Sequence, residues 1–230
     1  PPPIGSSHSG SSIRVLARCH VTLGLSCMSA LPGRRERIAL QSALAGLIRL
    51  LRQWEAADAV ATKELELGLD SLVREDYLSP AHAGLLGLAA LGQEEAMASA
   101  RGKLLRRRCA AARRLEELHG EMAAIAESVS ALLEDLGEGP EGPRPRQLPL
   151  TNTGAARAAV RAAAGALQAE AALRRSLLDA FAEMQPGQDD ERRRLYIAWV
   201  ERPFTPSDEG GRLQRLRRGA TEALEILAAA

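Results

Sequence analysis

The sequence predicts an all-α protein, a long antiparallel helical hairpin or coiled-coil bundle with short helices at its C-terminal end. Three observations predict this fold. Of the 230 residues, 46% are hydrophobic and only 3% aromatic, and the apolar residues are mostly Ala and Leu, which favour helices over strands. Apolar residues recur at helical spacing over several long stretches. A Gly/Pro-rich linker separates two of these stretches and gives the chain room to turn back.

Four segments are predicted along the chain. Residues 1–33 are rich in Ser, Gly and Pro and show no helical seam, so we expect a disordered leader, or sequence upstream of a translation start at Met28. Residues 34–136 hold the N-terminal helices and a coiled-coil helix. Residues 137–150 form a Gly/Pro linker, since these residues exclude regular structure. Residues 151–230 hold the C-terminal helices and an aromatic motif.

The first helix is predicted from about residue 35 to 76, with or without an interruption where its apolar stripe fades. The stripe consists of Ile38, Leu44, Leu47, Ile48, Leu51 and Trp54, and it resumes with Leu65, Leu69, Leu72 and Val73. Residues 80–100 contain three glycines, each of which disfavours a helix relative to Ala. That segment is predicted to be a weak helix or a loop.

The strongest periodic signal lies in the next helix. Alternating steps of four and three residues connect Ala111, Leu115, Leu118, Met122, Ile125, Val129, Leu132 and Leu136. Such a heptad seam is typical of coiled-coil and bundle helices. The seam leaves open whether its partner is another helix of this chain or another protein.

A third long helix is predicted from Thr151 or Thr153, either of which can cap it, to about Met184. Its stripe consists of Val160, Ala164, Leu167, Ala171, Leu178 and Phe181. A loop at 185–188 leads into a short aromatic helix, and a last helix is expected at roughly 210–228.

The aromatic motif holds three of the six aromatic residues of the chain. Tyr196, Trp199 and Val200 have helical spacing, which predicts that they share one face. Pro203 ends this helix, because the residue before a proline is pushed out of the α region. The expected structure is a hydrophobic plug that closes the helical core.

Two Ser/Thr-Pro dipeptides, Ser79-Pro80 and Thr205-Pro206, fit the start of a helix. They also fit the substrate sequence of a proline-directed kinase, so Ser79 and Thr205 are candidate phosphorylation sites. Gly210 and Gly211 argue for a later start of the last helix than Thr205.

No catalytic or metal-binding constellation is found, and we predict a non-enzymatic protein without a cofactor or metal. The four histidines are isolated, and the three cysteines form no pair at ligand spacing. A formal net charge of +1 gives no general field for nucleic acid or acidic membranes. The Arg runs lack interleaved aromatics for base stacking, so solvated helix faces or nuclear import explain them better than direct nucleic-acid binding. No apolar run is long enough to cross a membrane.

Two short motifs resemble the cyclin-dependent kinase 2-interacting protein family. Near the C-terminus the matching residues are Tyr196, Trp199, Pro203, Phe204 and Ser207. Near the N-terminus, an aliphatic helix ends in Trp54-Glu55, and the order of helices in between is similar. The chain departs from the family at Pro149, where the family has Trp-Pro and this chain has Leu-Pro, and in the Gly-rich segment 80–100.

The resemblance implies a nuclear adaptor that binds cyclin-dependent kinase, replication and checkpoint factors, and an AAA-type ATPase complex. Its expected roles are replication-fork maintenance and ribosome maturation, and its expected partner-binding or core residues are those of the two Trp motifs. The alternative hypothesis is a structural coiled-coil subunit of a kinetochore or microtubule-organising complex, which the seam favours equally. A lipid-surface helix is a third hypothesis, although the apolar stripes are narrow for it.

Overall fold

The computed structural model describes residues 33–78, 94–137, 150–205 and 211–229. These residues form five α-helices and no strand, which confirms the all-α prediction. The helices are α1 (Arg34–Tyr77), α2 (Glu94–Asp135), α3 (Thr153–Glu183), α4 (Asp189–Glu201) and α5 (Arg212–Ala229). Residues 1–32 of the predicted leader, most of the Gly/Pro linker and residues 80–93 of the Gly-rich segment lie outside the described residues. Residues 94–100, the rest of that segment, form the start of α2.

Helix α1 runs without interruption over 44 residues. The stripe fades in its middle because the buried side chains there are small or charged: Ala57, Asp58 and Ala61 all face the interior. Ile38 departs from the predicted stripe and is 58% exposed, since it lies in the first turn, before the core begins at Leu40.

The predicted antiparallel hairpin across the Gly/Pro linker is formed by α2 and α3, where Gln168 of α3 contacts Ser130 of α2 and Arg175 contacts Glu116. Helices α1 and α2 are antiparallel as well. Gly46 of α1 faces Leu132 near the end of α2, and a Cβ atom at Gly46 would lie 3.1 Å from a methyl group of that leucine. At the other end, Arg108 of α2 is ion-paired with Glu75 of α1 at 3.4 Å. Helix α3 then runs back along α2, so it lies parallel to α1. Phe181 of α3 packs against Gly68 of α1.

Helices α4 and α5 together occupy the fourth position of this bundle, one after the other along α1. Their contacts with α1 move towards the start of α1 as the chain proceeds through α4 and then α5. In this order the contacts are Tyr196 with Glu66, Trp199 with Thr62, Arg217 with Glu55, and Leu227 with Gln41. The fourth position is therefore filled by a chain segment that is broken between α4 and α5.

The seam of α2 packs inside the chain. Its buried members are Ala111, Leu115, Leu118, Met122, Val129 and Leu136, and Ile125 and Leu132 are half-buried against the same core. The partners of the seam are thus other helices of this chain. Supercoiling of these helices stays a prediction.

The interior divides into two clusters along the bundle axis. The first, called here the apolar core, lies among the first part of α1, the second part of α2, the first part of α3, and α5; it includes Leu44, Trp54, Met122, Val160 and Leu227. The second, the aromatic core, lies at the other end and includes Leu65, Leu115, Phe181, Leu195 and Trp199.

Three helix ends differ from or refine the prediction. Helix α3 is capped by Asn152, whose side-chain oxygen accepts a hydrogen bond from the Ala155 N–H at 3.2 Å, and not by Thr151 or Thr153. Helix α4 ends before Pro203, as predicted, and Arg202 adopts a left-handed conformation with φ of 47°. Helix α5 begins at Arg212, so the later of the two predicted starts is the one observed.

Candidate functional site

The aromatic motif anchors α4 through its inner face. Trp199 is buried, and its indole N–H donates a hydrogen bond to Thr62 Oγ1 on α1 at 3.2 Å. Tyr196 is half-buried, and its hydroxyl donates to the Glu66 carboxylate at 2.9 Å. Trp199 therefore has a core position, whereas Tyr196 lies at the edge of the bundle.

The outer face of the same motif is apolar and exposed. Ile197, Val200 and Phe204 are 42%, 42% and 45% exposed, and Pro203 is exposed as well. The prediction that Val200 shares the inner face is wrong. The buried face of α4 is centred on Leu195 and Trp199, and Val200, one residue on, is turned about 100° away from it.

Four charged side chains meet beneath this motif and form what is called here the charged layer. It consists of Asp58 from α1, Glu170 and Arg174 from α3, and Arg202 after α4. Arg174 Nη2 lies 2.5 Å from Asp58 Oδ1, Arg174 Nε 3.3 Å from Glu170 Oε1, and Arg202 Nη2 2.6 Å from Asp58 Oδ2. Two carboxylates and two guanidiniums balance in charge, which reduces the large cost of burying ions.

Arg174 is the centre of the layer and is fully buried. Its guanidinium carbon lies 4.3 Å from the centre of the Trp199 ring, a cation–π contact that a water-excluded site strengthens. Burial lowers the pKa of Arg174, and this effect outweighs the neighbouring Asp58 and Glu170 carboxylates, which raise it. Burial likewise raises the pKa of Asp58, against the two guanidiniums, which lower it. These directions follow from the desolvation of charge.

The chain segment Arg202–Thr205, called here the strap, closes the layer from outside. The Phe204 N–H donates to Glu170 Oε2 at 3.2 Å, and the Thr205 N–H donates to the Arg202 carbonyl at 3.0 Å. Thr205 is buried, and its hydroxyl has no hydrogen-bond partner among the described residues. The strap is thus held by its backbone and by the Arg202 side chain.

The charged layer separates the two cores. On α1, Ala57 belongs to the apolar core and Ala61 to the aromatic core, with Asp58 between them. On α3, Ala171 and Leu178 belong to the two cores in the same way, and Arg174 lies between them. The layer is therefore at the level where the fourth helix position is broken.

The two Trp motifs are not brought together into one site. Trp54 is buried in the apolar core, whereas Trp199 lies in the aromatic core. Glu55 is half-exposed and ion-paired with Arg217 of α5. Two further candidate residues, Ser79 and Ser207, lie outside the described residues.

The charged layer was missed from the sequence, although a signal for it exists. The α3 stripe steps by three and four residues but skips from Ala171 to Leu178, and Arg174 fills the missing position. On α1, Asp58 continues the step of four from Trp54. A charged residue at a seam position predicts a buried ionic contact, and an oppositely charged residue at the matching level of another helix would have identified it.

No group of three His, Cys, Asp or Glu side chains is placed to hold a metal ion in the part of the chain that the structure describes. Cys109 is free and exposed. Within the described ranges, none of the helices combines the length and the apolar character needed to cross a membrane.

Comparison with protein-family models, with curated proteins and with solved structures found no match to this chain.

Proposed function

We propose that this chain is a non-enzymatic adaptor whose aromatic motif presents an apolar docking surface to other proteins. The observation that carries the proposal is the division of α4 into two faces. Trp199 is fixed in the core, whereas Ile197, Val200 and Phe204 are each more than two-fifths exposed within a stretch of eight residues. Exposed apolar side chains that are grouped together often mark an interaction site.

Two attachments to the core hold this surface in place while the strap is closed. The Trp199 indole contacts Thr62 and Arg174, and the Phe204 backbone N–H donates to Glu170. A surface that is ordered before binding loses little conformational entropy on binding, so more of its contact energy contributes to affinity.

The state of the buried acids supports a non-enzymatic role. Asp58 and Glu170 are the two buried carboxylates among the described residues, and both contact guanidinium groups. A general acid or base must come within hydrogen-bond reach of a substrate, and these groups are covered by the strap.

By the resemblance of the two Trp motifs, we propose that the partners are cyclin-dependent kinase, replication and checkpoint factors, and subunits of an AAA-type ATPase complex in the nucleus. Replication-fork maintenance and ribosome maturation are the processes proposed for this adaptor. The kinetochore alternative depended on a free α2 seam. The seam packs against other helices of this chain, so no observation now favours that alternative.

A pull-down from nuclear extract tests the proposal. The tagged full chain should recover cyclin-dependent kinase or AAA ATPase subunits, and the triple variant I197S/V200S/F204S should lose them. The matched control is I38S/I226S, which changes two other apolar residues that are 58% and 52% exposed and should retain the partners. Recovery of neither class by the unmodified chain, or equal losses in both variants, would contradict the proposal.

A further inference from the structure

Thr205 has the sequence of a kinase substrate but is buried in the structure. It is one of only two Ser/Thr residues followed by Pro in the chain, the sequence that proline-directed kinases require. Its side chain is nevertheless buried, and its hydroxyl makes no hydrogen bond within the described residues. A kinase can reach this hydroxyl only when the strap has left the bundle.

The strap has few polar attachments among the described residues. They are the ion pair of Arg202 with Asp58 and the hydrogen bond from the Phe204 N–H to Glu170, and the buried side chain of Thr205 adds packing. Arg202 is also in a left-handed conformation, which is strained for a non-glycine residue. Local opening of such a segment requires much less free energy than unfolding of the bundle.

A phosphate on Thr205 is incompatible with the closed strap. Phosphorylation adds about −1.5 to −2 charges and three strong acceptors, and burial of such a group without compensation is very costly. The neighbouring Phe204 already donates to the Glu170 carboxylate, so the dianion would enter a region that holds two buried carboxylates. The two arginines that could neutralise it are engaged with those carboxylates.

We propose that Thr205 is a phosphorylation site that controls the strap: the kinase captures the open strap, and phosphothreonine prevents it from closing. In the reaction, the Thr205 oxygen forms a bond to the γ-phosphorus of ATP, the bond from this phosphorus to the β–γ bridging oxygen breaks, and ADP leaves. The hydroxyl proton passes to the catalytic base of the kinase.

Opening changes the surface of the protein at the level of the charged layer. Phe204 moves away from Ile197 and Val200, and Asp58 loses Arg202, which leaves Arg174 as the partner of both buried carboxylates. The inference does not depend on the identity of any adaptor partner, because it concerns only the strap and the kinase.

The test uses the full chain with Ser79→Ala, which leaves Thr205 as its single Ser/Thr-Pro site. The protein is incubated with a proline-directed Ser/Thr kinase and ATP, and phosphate at Thr205 is followed by mass spectrometry. Arg202→Gln removes the ion pair to Asp58 and should speed phosphorylation about tenfold, the change in open population expected from the loss of one charge-assisted hydrogen bond. The control Arg192→Gln breaks the ion pair with Asp189 in the first turn of α4, away from the strap, and should leave the rate unchanged.

Hydrogen exchange then reports on the strap itself. The phosphorylated protein should lose protection at the amides of Phe204 and Thr205, whereas Thr205→Val should keep it. The proposal is overturned if Thr205 stays unmodified even in the Arg202→Gln variant, if the rates of this variant and the unmodified chain are equal, or if the phosphorylated strap remains protected.

Discussion

The apolar core and the charged layer stabilise the same bundle by different means. The apolar core is made mostly of Leu and Ala side chains, with Ile48, Val129, Val160, Trp54 and Met122, packed along α1, α2, α3 and α5. The charged layer holds four ionic groups at one level between the two cores. Apolar contacts are non-directional, so they tolerate small shifts of one helix along another. An ion pair forms only when the helices are aligned so that the two charged groups meet. We infer that the apolar core supplies most of the stability and that the layer fixes where the fourth helix position breaks.

The strongest test of this comparison is Trp199→Ala. Trp199 belongs to the aromatic core and also covers Arg174, so its loss creates a cavity and uncovers a buried charge. We expect a loss of about 3–5 kcal/mol in the free energy of unfolding, measured by urea denaturation. The neighbouring exposed Val200→Ala should change it by less than about 0.5 kcal/mol. Unchanged stability of Trp199→Ala with loss of partner binding would instead make the ring a docking group.

Arg174→Leu removes the centre of the charged layer. It leaves Asp58 and Glu170 with one remaining guanidinium, and we expect a loss of about 3 kcal/mol or more in unfolding free energy. Arg175→Leu is the matched control, because Arg175 forms only exposed ion pairs, and it should cost less than about 1 kcal/mol.

The all-apolar variant D58L/E170L/R174L separates stability from register. It leaves no fully buried charge unpaired, because the remaining Arg202 side chain is 22% exposed and can reach water, so it should recover most of the stability lost in Arg174→Leu. If the layer fixes the break of the fourth position, hydrogen exchange in the strap and in the first turn of α5 should become faster in this variant. Unchanged exchange there would show that the apolar contacts alone set the break.

Gly68→Ala tests the contact between α1 and α3 within the aromatic core. A Cβ atom at this position would lie 2.5 Å from Phe181 Cζ, so the ring must move, and we expect a loss of about 1–3 kcal/mol. Gly120→Ala is the control in a helix, because no atom lies within 4 Å of its added Cβ; it should stabilise the protein by about 0.5–1 kcal/mol. Thermal or urea unfolding of both variants gives the difference. A stable Gly68→Ala variant would mean that the helices are less closely packed than described.

The smallest expected effect is the ionisation of Tyr196 at the edge of the aromatic core. The hydrogen bond to Glu66 and the charge of that carboxylate raise the pKa of Tyr196 above 10.0. The folded state therefore keeps its proton longer than the unfolded chain, and this contribution to stability is lost as the pH rises through the folded pKa. Ultraviolet titration in a Tyr77→Phe background should show a lower pKa for Glu66→Gln and no change for Glu64→Gln. Equal Tyr196 pKa values in the Tyr77→Phe background and in both of its Glu variants would exclude the hydrogen bond between Tyr196 and Glu66.

Much of the fold was predictable because helix formation and burial follow local patterns. The seam of α2 and the stripe of α3 gave the correct faces, and Pro203 gave the end of α4. Val200 was assigned to the wrong face because helical spacing alone fits two neighbouring faces when only three residues are considered. The charged layer was missed because Asp58 is far in sequence from Glu170 and Arg174, which are four residues apart on one helix, and only tertiary packing brings Asp58 next to them.

The amino-acid sequence by itself determined that this chain is helical, where its long helices lie, and which side of each long helix is apolar. These properties depend on propensity and on the period of 3.6 residues, both of which act over a few turns. Only the tertiary structure decided that the α2 seam is satisfied within the chain, that α4 and α5 share one position, and that the aromatic motif covers a buried charged layer. Those features depend on contacts between residues more than 100 positions apart in some cases, such as Trp199 with Thr62, which no local pattern encodes.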